Sequence, residues 1–412
     1  MAGIRATKKT AAILSCLCRQ KRILNTTYTS KRLGSNDADL KKTPLYDFHI
    51  AAGGQLVPFA GWSMPVSYKE GIATEHANCR SKAVIFDVSH MLQSKIHGKD
   101  RIKFVESLTV ADVEGLKENS GTLSLLLNDK GGIIDDLVLS KTDQGYVYMV
   151  TNAGCTDKDV AHIQGKLEDF KSKGQDVTFE PIHDMGLLAL QGPLSARVLQ
   201  AGMSHDLSQL TFMRTTVADV FGIPCRITRC GYTGEDGVEI SVPASRTVEL
   251  TERLLSSQET SVSMCGLGAR DSLRLESGMC LYGNDIDETT TPIEATLAWT
   301  IAKRRRKQRD FPAADFILKQ LKDKPERKRV GLTSKGAPPR AGASILDEAG
   351  QEIGHVTSGC PSPTLKINVA MGYVKTQHAA VGTKVKVQVR KRSIDAEVAK
   401  MPFVPSNYYT GK

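Results

Sequence analysis

Two periodicities divide this chain of 412 residues, and that division restricts its fold more than any other feature. Up to about residue 300, helical and strand spacings alternate. After Arg329 nearly everything is strand and turn. Val385, Val387 and Val389 alternate with polar residues there, as a half-buried strand requires, and Gly and Pro interrupt the chain at short intervals. The expected architecture is therefore α+β over residues 40–300, followed by a small β-barrel or sandwich over 325–408.

Local signals fill in the first region. Ile133–Ser140, bounded by Gly131 and Gly132, reads as a strand that turns near Asp143–Gly145 into a second strand, Tyr146–Thr151. Thr156 opens a helix, with Asp159 placed as a capping box; Val160, Ile163, Leu167 and Phe170 then recur at helical spacing. Pro193–Ala201 is a short helix with Pro first and Gly202 past its end. Arg226–Cys230 and Val238–Val242 read as strands around a loop holding Gly231, Gly234 and Gly237. Lys69–Val84, Ser245–Leu255 and Leu267–Glu276 read as helices. Residues 37–70 read as irregular, broken by Gly53, Gly54, Pro58, Gly61 and Pro65.

Charge is distributed unevenly. The formal net charge is +10, and residues 1–36 hold Arg5, Lys8, Lys9, Arg19, Lys21, Arg22, Lys31 and Arg32 with no acidic residue, leaving +2 for the rest. A near-neutral body argues against a nucleic-acid surface. The segment 1–36, basic, hydroxyl-rich and acid-free, has the composition of a mitochondrial transit peptide. No apolar run reaches the ~18 residues a membrane span needs. Nine cysteines are scattered without a CxxC pair. They suit neither a disulfide framework nor a zinc site, and they read as reduced structural thiols.

A few residues carry possible chemistry. Asp135 and Asp136 interrupt the apolar strand Ile133–Leu139. Neighbours on a strand point to opposite faces, which places Asp136 with Ile134 and Val138, and Asp135 with Ile133, Leu137 and Leu139. Both faces are otherwise apolar, so at least one carboxylate is desolvated and its pKa raised. Such a group suits accepting a proton or hydrogen bond from an amine; a structural Asp tied to a turn is the alternative. Glu239 faces away from Val238, Ile240 and Val242. It is either a grip for a planar amino-imino edge or a solvent-facing strand residue. Arg270 and Arg274 share a helix face and form either an ion-pair set with Asp271 and Glu276 or an anion clamp. The basic run Lys303–Arg309 is a solvated linker or an attractor for an acidic partner. Gly266 and Gly268 lack the third glycine of a dinucleotide loop, and no phosphate loop, nucleophile elbow or metal-ligand helix is present.

Longer motifs carry a resemblance. Thr43-Pro-Leu-Tyr-Asp-Phe-His49, Phe59-Ala-Gly-Trp62, Phe86-Asp-Val-Ser-His-Met91, Gly131–Leu137, Asn152-Ala-Gly-Cys155, Leu188-Ala-Leu-Gln-Gly-Pro193, Thr228-Arg-Cys-Gly-Tyr-Thr-Gly-Glu-Asp-Gly237, Arg270-Asp-Ser-Leu-Arg-Leu-Glu276, Tyr282-Gly-Asn-Asp285 and Met401-Pro-Phe-Val-Pro405 resemble, in order and spacing, the T-protein family of the glycine cleavage system. The resemblance runs from about Thr43 to the C-terminus. It implies a three-domain cloverleaf around a central folate cavity, with two interleaved α+β domains and a C-terminal β-barrel. It also implies an aminomethyltransferase in the mitochondrial matrix. The expected partners are the lipoylated H protein and, in the same system, the P and L proteins; nucleic acid and membrane are not. Tetrahydrofolate is the implied co-substrate, without metal or flavin.

By the same resemblance Asp136 is the catalytic carboxylate. Glu239, Arg270 and Tyr408 are implied substrate-binding positions, and Met91, Asn152 and Tyr232 are implied cavity positions. Arg329 is implied to be structural. A related non-enzymatic folate-binding class carries a Lys-Gly-Cys-[Phe/Tyr]-x-Gly-Gln-Glu signature; the corresponding stretch here, Ser277–Ile286, lacks its Lys and Gln-Glu. A flavin-dependent dehydrogenase would need a glycine-rich dinucleotide domain that this chain does not have.

Overall fold

The computed structural model describes residues 39–390 and 392–411; the expected transit peptide lies outside the described residues. The chain opens with helix α1 (Tyr46–Ala51), strands β1 (Gln55–Phe59) and β2 (Trp62–Ser67), and helix α2 (Ile72–Ser81). Over the described residues 39–70 the chain is thus not irregular. β1 and β2 form a hairpin closed by Ala60 and Gly61, both at positive φ (50° and 78°), the backbone a two-residue hairpin turn demands. Pro58 and Pro65 are tolerated because a two-stranded sheet has only edges. The helix expected over Lys69–Val84 is shorter, since Ala83 already begins a strand.

The chain continues through β3 (Ala83–Asp87), β4 (Leu92–His97), α3 (Arg101–Leu108), β5 (Ser120–Leu127), β6 (Ile133–Lys141), β7 (Val147–Thr151), α4 (Thr156–Ser172) and β8 (Thr178–Ile182). Then follow β9 (Met185–Gln191), α5 (Ser195–Gln200), β10 (Thr215–Val220), β11 (Ile223–Thr228), β12 (Gly237–Pro243), α6 (Thr247–Leu255), β13 (Val262–Met264) and α7 (Leu267–Glu276). Two sheets result, with strand orders β5-β6-β7-β4-β8 and β10-β11-β12-β9-β3-β13. β3 belongs with strands that come a hundred residues later, so the two α+β lobes interleave along the chain.

Each sheet buries its two faces differently. One face of the five-stranded sheet (Leu126, Leu137, Leu139, Val147, Met149) packs on α3 and α4 through Phe104, Leu108, Ile163, Leu167 and Phe170. One face of the six-stranded sheet (Ile85, Leu188, Leu190, Ile227, Val238, Ile240, Val242) packs on α5 and α6 through Val198, Leu199, Leu250 and Leu254. The remaining faces meet each other: Tyr148 and Val150 of β7 join Val84, Phe86, Leu187 and Ala189 of β3 and β9 in one apolar cluster. The site is built at this seam.

Helices α8 (Lys303–Gln308) and α9 (Ala314–Asp323) lead to β14 (Arg327–Ser334), β15 (Ser344–Leu346), β16 (Glu352–Pro361), β17 (Asn368–Lys375), β18 (Lys384–Val389) and β19 (Arg392–Ala399). These six strands close into a barrel in the order β14-β17-β16-β15-β18-β19, around Val330, Leu332, Ile345, Val356, Val374, Val385, Val387 and Val398. Closure leaves no sheet edge open. Of the two outcomes expected after residue 325, barrel or sandwich, the barrel is the one formed. Arg329 on β14 is buried, and its guanidinium donates to the carbonyls of Ala295 (2.8 Å) and Gly278 (3.1 Å). It fastens the barrel to the preceding loops, the structural part expected for it.

The basic run is not a solvated linker. α8 carries it, and Arg305 is fully buried, donating to the carbonyl oxygens of Glu106 (2.6 Å) and Ala111 and pairing with Asp310 (2.7 Å). Arg304 pairs with Glu106 and with Asp112 (2.8 Å), and Arg306 donates to the carbonyls of Ile301 and Ala298. Spacing alone does not reveal the acceptors Glu106, Ala111 and Asp112, because they lie about 200 residues upstream. The exposed cations left on α8 are Lys303 and Lys307.

Candidate active site

β6 and β7 pair with Val138 opposite Val150. Two residues further along, Asn152 comes beside Asp136. Its side-chain amide donates to Asp136 Oδ1 at 3.0 Å and to Asp135 Oδ1 at 2.9 Å, and its backbone N–H donates to Asp135 Oδ2 at 2.9 Å. One asparagine thus holds both carboxylates of the Asp-Asp pair. Asp135 is fully buried, while Asp136 is half-buried.

The separation of the pair into two faces is as expected, but Ile133 packs with Leu125 and Leu127 in a separate cluster rather than with Leu137 and Leu139, and Ile134 is displaced too. The ladder between β5 and β6 shifts register between Leu126 and Leu127. That irregularity sends Ile134 into the core with Leu137 and Leu139 rather than onto the face of Asp136. Asp136 therefore shares its face with Val138 and Ser140, which line a crevice between the two sheets. Burial pushes the Asp136 carboxyl up to about 7, and the adjacent Asp135 charge adds to the rise; the hydrogen bond from Asn152 opposes both.

The six-stranded sheet forms the other wall. On β11 and β12, Arg226, Thr228, Glu239 and Ser241 project into the crevice, because Thr228 pairs with Glu239 and Arg226 with Ser241. Glu239 is thus not solvent-facing. Burial raises its pKa, against the nearby Arg270 charge and a hydrogen bond from the Cys230 thiol. Arg270, on α7, lies 4.7 Å over the Tyr232 ring. Its Nη1 is buried and has no hydrogen-bond partner. Arg270 and Glu239 thus feel each other's charge without forming an ion pair within 4.0 Å.

The second arginine follows the ion-pair alternative with Asp271 but not with Glu276, which pairs with Arg80 and His76 instead. Arg274 is 1% exposed and binds Asp285 (2.6 Å), Asp271 (2.8 Å) and Ser358 Oγ (2.8 Å). The helix that carries both begins at Gly266, where a Cβ would stand 2.5 Å from the carbonyl carbon of Val66. Gly266 is there for close packing of α7 on β2, which accounts for the glycine without any nucleotide.

The other expected residues are spread around this centre. Tyr232 donates its hydroxyl to the Cys280 carbonyl, and the Asp136 charge is among the forces on it. Met91 packs half-buried at the apolar seam with Tyr148 and Val150. Tyr408 does not line the crevice between the sheets; it stacks on Phe212 with ring centroids 4.2 Å apart. Burial raises its hydroxyl pKa, and Cys230, the thiol that bonds Glu239, is one of its charged-state neighbours. The C-terminal segment is anchored beside it by Asn407, whose N–H donates to Gly234 O at 2.7 Å.

Sequence reasoning missed several members. Asp159 is not a cap: no side-chain cap bond forms at α4, and Asp159 is fully buried against Asp135. Cys230 and Arg226 also belong to the site. The alternation of β11 against Glu239 was the available signal for Arg226. His90, 7% exposed, is held neutral as burial brings it down to about 4, with Arg270's charge acting in the same direction.

Comparison with known proteins agrees with this geometry. The GCVT N-terminal domain family matches residues 45–305, and the glycine cleavage T-protein C-terminal barrel domain family matches residues 327–405. The mitochondrial aminomethyltransferase of dog (Canis lupus familiaris) is 56% identical over 374 residues, covering 90% of this chain and 92% of that protein. That of mouse (Mus musculus) is 55% identical over 384 residues, covering 93% and 94%. The crystal structure of the glycine cleavage system aminomethyltransferase T from Bartonella henselae superposes with a TM-score of 0.84 at 39% identity, covering 90% of this chain and 99% of that one. The chain belongs to the glycine cleavage T-protein family of aminomethyltransferases.

Proposed function

We propose that the protein transfers the methylene carbon of an aminomethyl group, carried on the lipoyl arm of H protein, to tetrahydrofolate. The products are 5,10-methylenetetrahydrofolate, ammonia and dihydrolipoyl H protein. The acid-free basic segment 1–36 and the mitochondrial names of the relatives support placement in the mitochondrial matrix, alongside the P and L proteins of the same system.

The observation that carries this reading is a carboxylate of raised pKa, Asp136, held by Asn152 on the strand whose Val138 and Ser140 line a crevice, with Glu239 on the opposite wall and its charge coupled to that of Arg270. The residues fit a folate. A buried Arg270 nitrogen without an acceptor calls for a carbonyl or anionic oxygen from outside the chain. A desolvated carboxylate at Glu239 calls for N–H donors, and an amino-imino edge offers two in parallel. Met91, Val138, Tyr148 and Val150 supply apolar walls, and the Tyr232 ring supports Arg270 from beneath.

In the balanced reaction the C–N bond of the aminomethyl group and its C–S bond both break. Tetrahydrofolate supplies the two nitrogens that the methylene comes to bridge. The two hydrogens those nitrogens lose end on ammonia and on the lipoyl sulfur. Asp136 in its carboxylate form accepts a hydrogen bond from the attacking amine and aims its lone pair at the carbon. The same charge stabilises positive charge developing on that carbon as ammonia departs. Asn152 holds the carboxylate in one orientation, and the apolar seam limits water. Glu239 and Arg270 hold the folate ring and do not take part in bond making.

The test is ammonia release and methylenetetrahydrofolate formation from aminomethyl-loaded H protein, with wild type and Asp136→Asn compared side by side. Activity in the wild type, with loss of roughly a hundredfold or more in the variant and tetrahydrofolate still bound, supports the reading. A wild type that binds tetrahydrofolate and releases no ammonia overturns it.

A further inference from the structure

Behind Asp136 lies a second pair of carboxyl groups to which the proposed reaction gives no task. Asp135 on β6 and Asp159 on α4 are both 0% exposed, and their carboxyls are hydrogen-bonding neighbours. Their surroundings are unequal. Asp135 accepts two N–H bonds from Asn152 at 2.9 Å and one from the Cys155 thiol. Neither oxygen of Asp159 receives any N–H donor. A buried carboxylate with no N–H donor, only the Thr151 hydroxyl near it, is poorly sustained as an anion, and two facing carboxyls relieve their repulsion by sharing one proton. The proton therefore resides on Asp159, and Asp135 is the acceptor it faces.

The neighbouring charges do not reverse this assignment. Around the pair stand Cys155 before α4, Lys158 on α4, Tyr282 in the loop after α7, and Asp136, with Asp285 beyond. Lys158 and the neutral Thr151 hydroxyl favour an ionised Asp159, but the Lys158 ammonium is engaged by the Tyr282 hydroxyl and by Glu288 at 3.3 Å, and burial together with the Asp135 charge outweighs both.

Asp135 being an anion matters for Asn152. An asparagine amide can present either its NH₂ or its oxygen. An acceptor-only Asp135 selects the NH₂ orientation, which is also the orientation that holds Asp136 at 3.0 Å. A protonated Asp135 removes that preference, and a turned amide sets an oxygen against Asp136.

We propose that Asp159 is a positioning residue for the transfer reaction: it donates its carboxyl proton to Asp135, fixes Asp135 as an acceptor, and so holds the Asn152 amide in the orientation that places Asp136. The kinetic part rests on the reading of Asp136 given above; the acid pair itself does not.

Two variants of the full chain and two readouts test it. Asn at 159 still offers an N–H to Asp135; Ala, a good helix former, does not. Above about pH 8, where Asp136 is ionised, the infrared spectrum of the wild type should contain the carbonyl band of a buried protonated carboxyl. That band should be missing from Asp159→Asn. Asp159→Asn should keep kcat within about threefold, with an unmoved acid limb. Asp159→Ala should lose roughly tenfold to a hundredfold in kcat, with the KM for tetrahydrofolate nearly unchanged. Without its donor Asp135 takes up the proton, the charge beside Asp136 disappears, and the acid limb moves to lower pH.

No difference in the infrared band between wild type and Asp159→Asn overturns the acid pair. Equal losses in the two variants, or a shifted limb in Asp159→Asn, overturn the positioning role; the second criterion holds even if Asp159→Ala does not fold. Full activity of Asp136→Asn with the band intact removes the kinetic role and leaves the pair standing.

Discussion

Arg270 lies 4.7 Å above the ring of Tyr232, with one guanidinium nitrogen buried and unbonded. A planar cation stacked on an aromatic ring is held in direction as well as place, and its charge is felt at Glu239. Lysine cannot reproduce either property. Arg270→Lys should therefore raise the KM for tetrahydrofolate by roughly tenfold, the value of one hydrogen bond to a charged group of about 1.5–3 kcal/mol or less, and leave kcat within a few-fold. Steady-state kinetics at saturating H protein separates the two; an effect confined to kcat would contradict a binding role.

The raised Asp136 carboxyl has consequences for rate and for stability. The carboxylate is the working form, so turnover should fall as pH drops below about 7, and the limb should be absent from Asp136→Asn. The stability sign follows from linkage. A folded-state pKa of about 7 against an ordinary value of 3.8 means that the folded protein holds this proton more tightly than the unfolded chain does. Stability from this group is then complete below pH 3.8 and is lost as pH rises through 7. Asp136→Asn should therefore unfold at higher temperature than wild type at pH 8, and the gain should vanish toward pH 4. Melting curves at the two pH values check it, and a gain of equal size at both would show that ionisation is not its source.

The sequence revealed different parts of the protein to different degrees. β6, α7 and the alternation of Val385, Val387 and Val389 were readable because each is governed by local periodicity. The two faces of β12 were readable for the same reason, although only the opposing wall decides that Glu239 meets a crevice and not water. Asp159 and Arg305 were misread because their partners are set by tertiary packing: Asp135 lies 24 residues away in sequence, and Ala111 about 200. A helix-start motif and a basic run have the same local signature whether or not a distant strand supplies the partner. Tyr408 and Met91 came from the resemblance alone, since nothing in the spacing of an aromatic near the C-terminus points to Phe212.

Gly132, at the start of the strand that bears the aspartates, leaves no room for a side chain. A Cβ there would stand 1.8 Å from the carbonyl oxygen of Glu288, and the residue is pinned from both sides by Asn128. Gly132→Ala must displace backbone, at a cost of about 1–3 kcal/mol. Because the displaced turn feeds β6, kcat should fall more than overall stability suggests. Thermal unfolding and turnover measured on one preparation would show it; unchanged values of both would mean that the loop at Glu288 yields freely.

The cations of α8 divide by role. Arg305→Ala leaves the carbonyls of Glu106 and Ala111 without their donor and should destabilise the fold by about 3 kcal/mol or more. Lys303 and Lys307 are exposed, and their replacement by Glu should leave the melting temperature unchanged. If this surface helps to dock an acidic lipoyl carrier, the double charge reversal raises the KM for H protein, more so at low salt. An unchanged KM at low ionic strength removes α8 from the docking surface.

Glu276, the last residue of α7, joins the site helix to the barrel. It is fully buried and takes Arg80 (2.7 Å) and His76 (3.2 Å) from α2, and Ser362 Oγ (2.5 Å) and Thr364 Oγ1 (2.8 Å) from the connection between β16 and β17. Burial alone would raise its pKa; the hydrogen bonds from His76, Ser362 and Arg80 outweigh burial and bring it down to about 2 from an ordinary 4.5. A depressed carboxyl contributes stability above its unfolded pKa and loses it as pH falls toward the folded value, here between about 4.5 and 2. Glu276→Gln keeps the shape and removes the charge, leaving Arg80 to Glu235 alone (2.8 Å). The variant should be less stable than wild type by about 3–5 kcal/mol at pH 7, the cost of breaking a buried pair, and the difference should narrow as pH falls below 4.5. Urea unfolding at pH 7 and near pH 3 measures both. A difference that stays constant with pH would assign the effect to packing at the seam of Leu275, Met371 and Phe403 rather than to the ionised carboxylate.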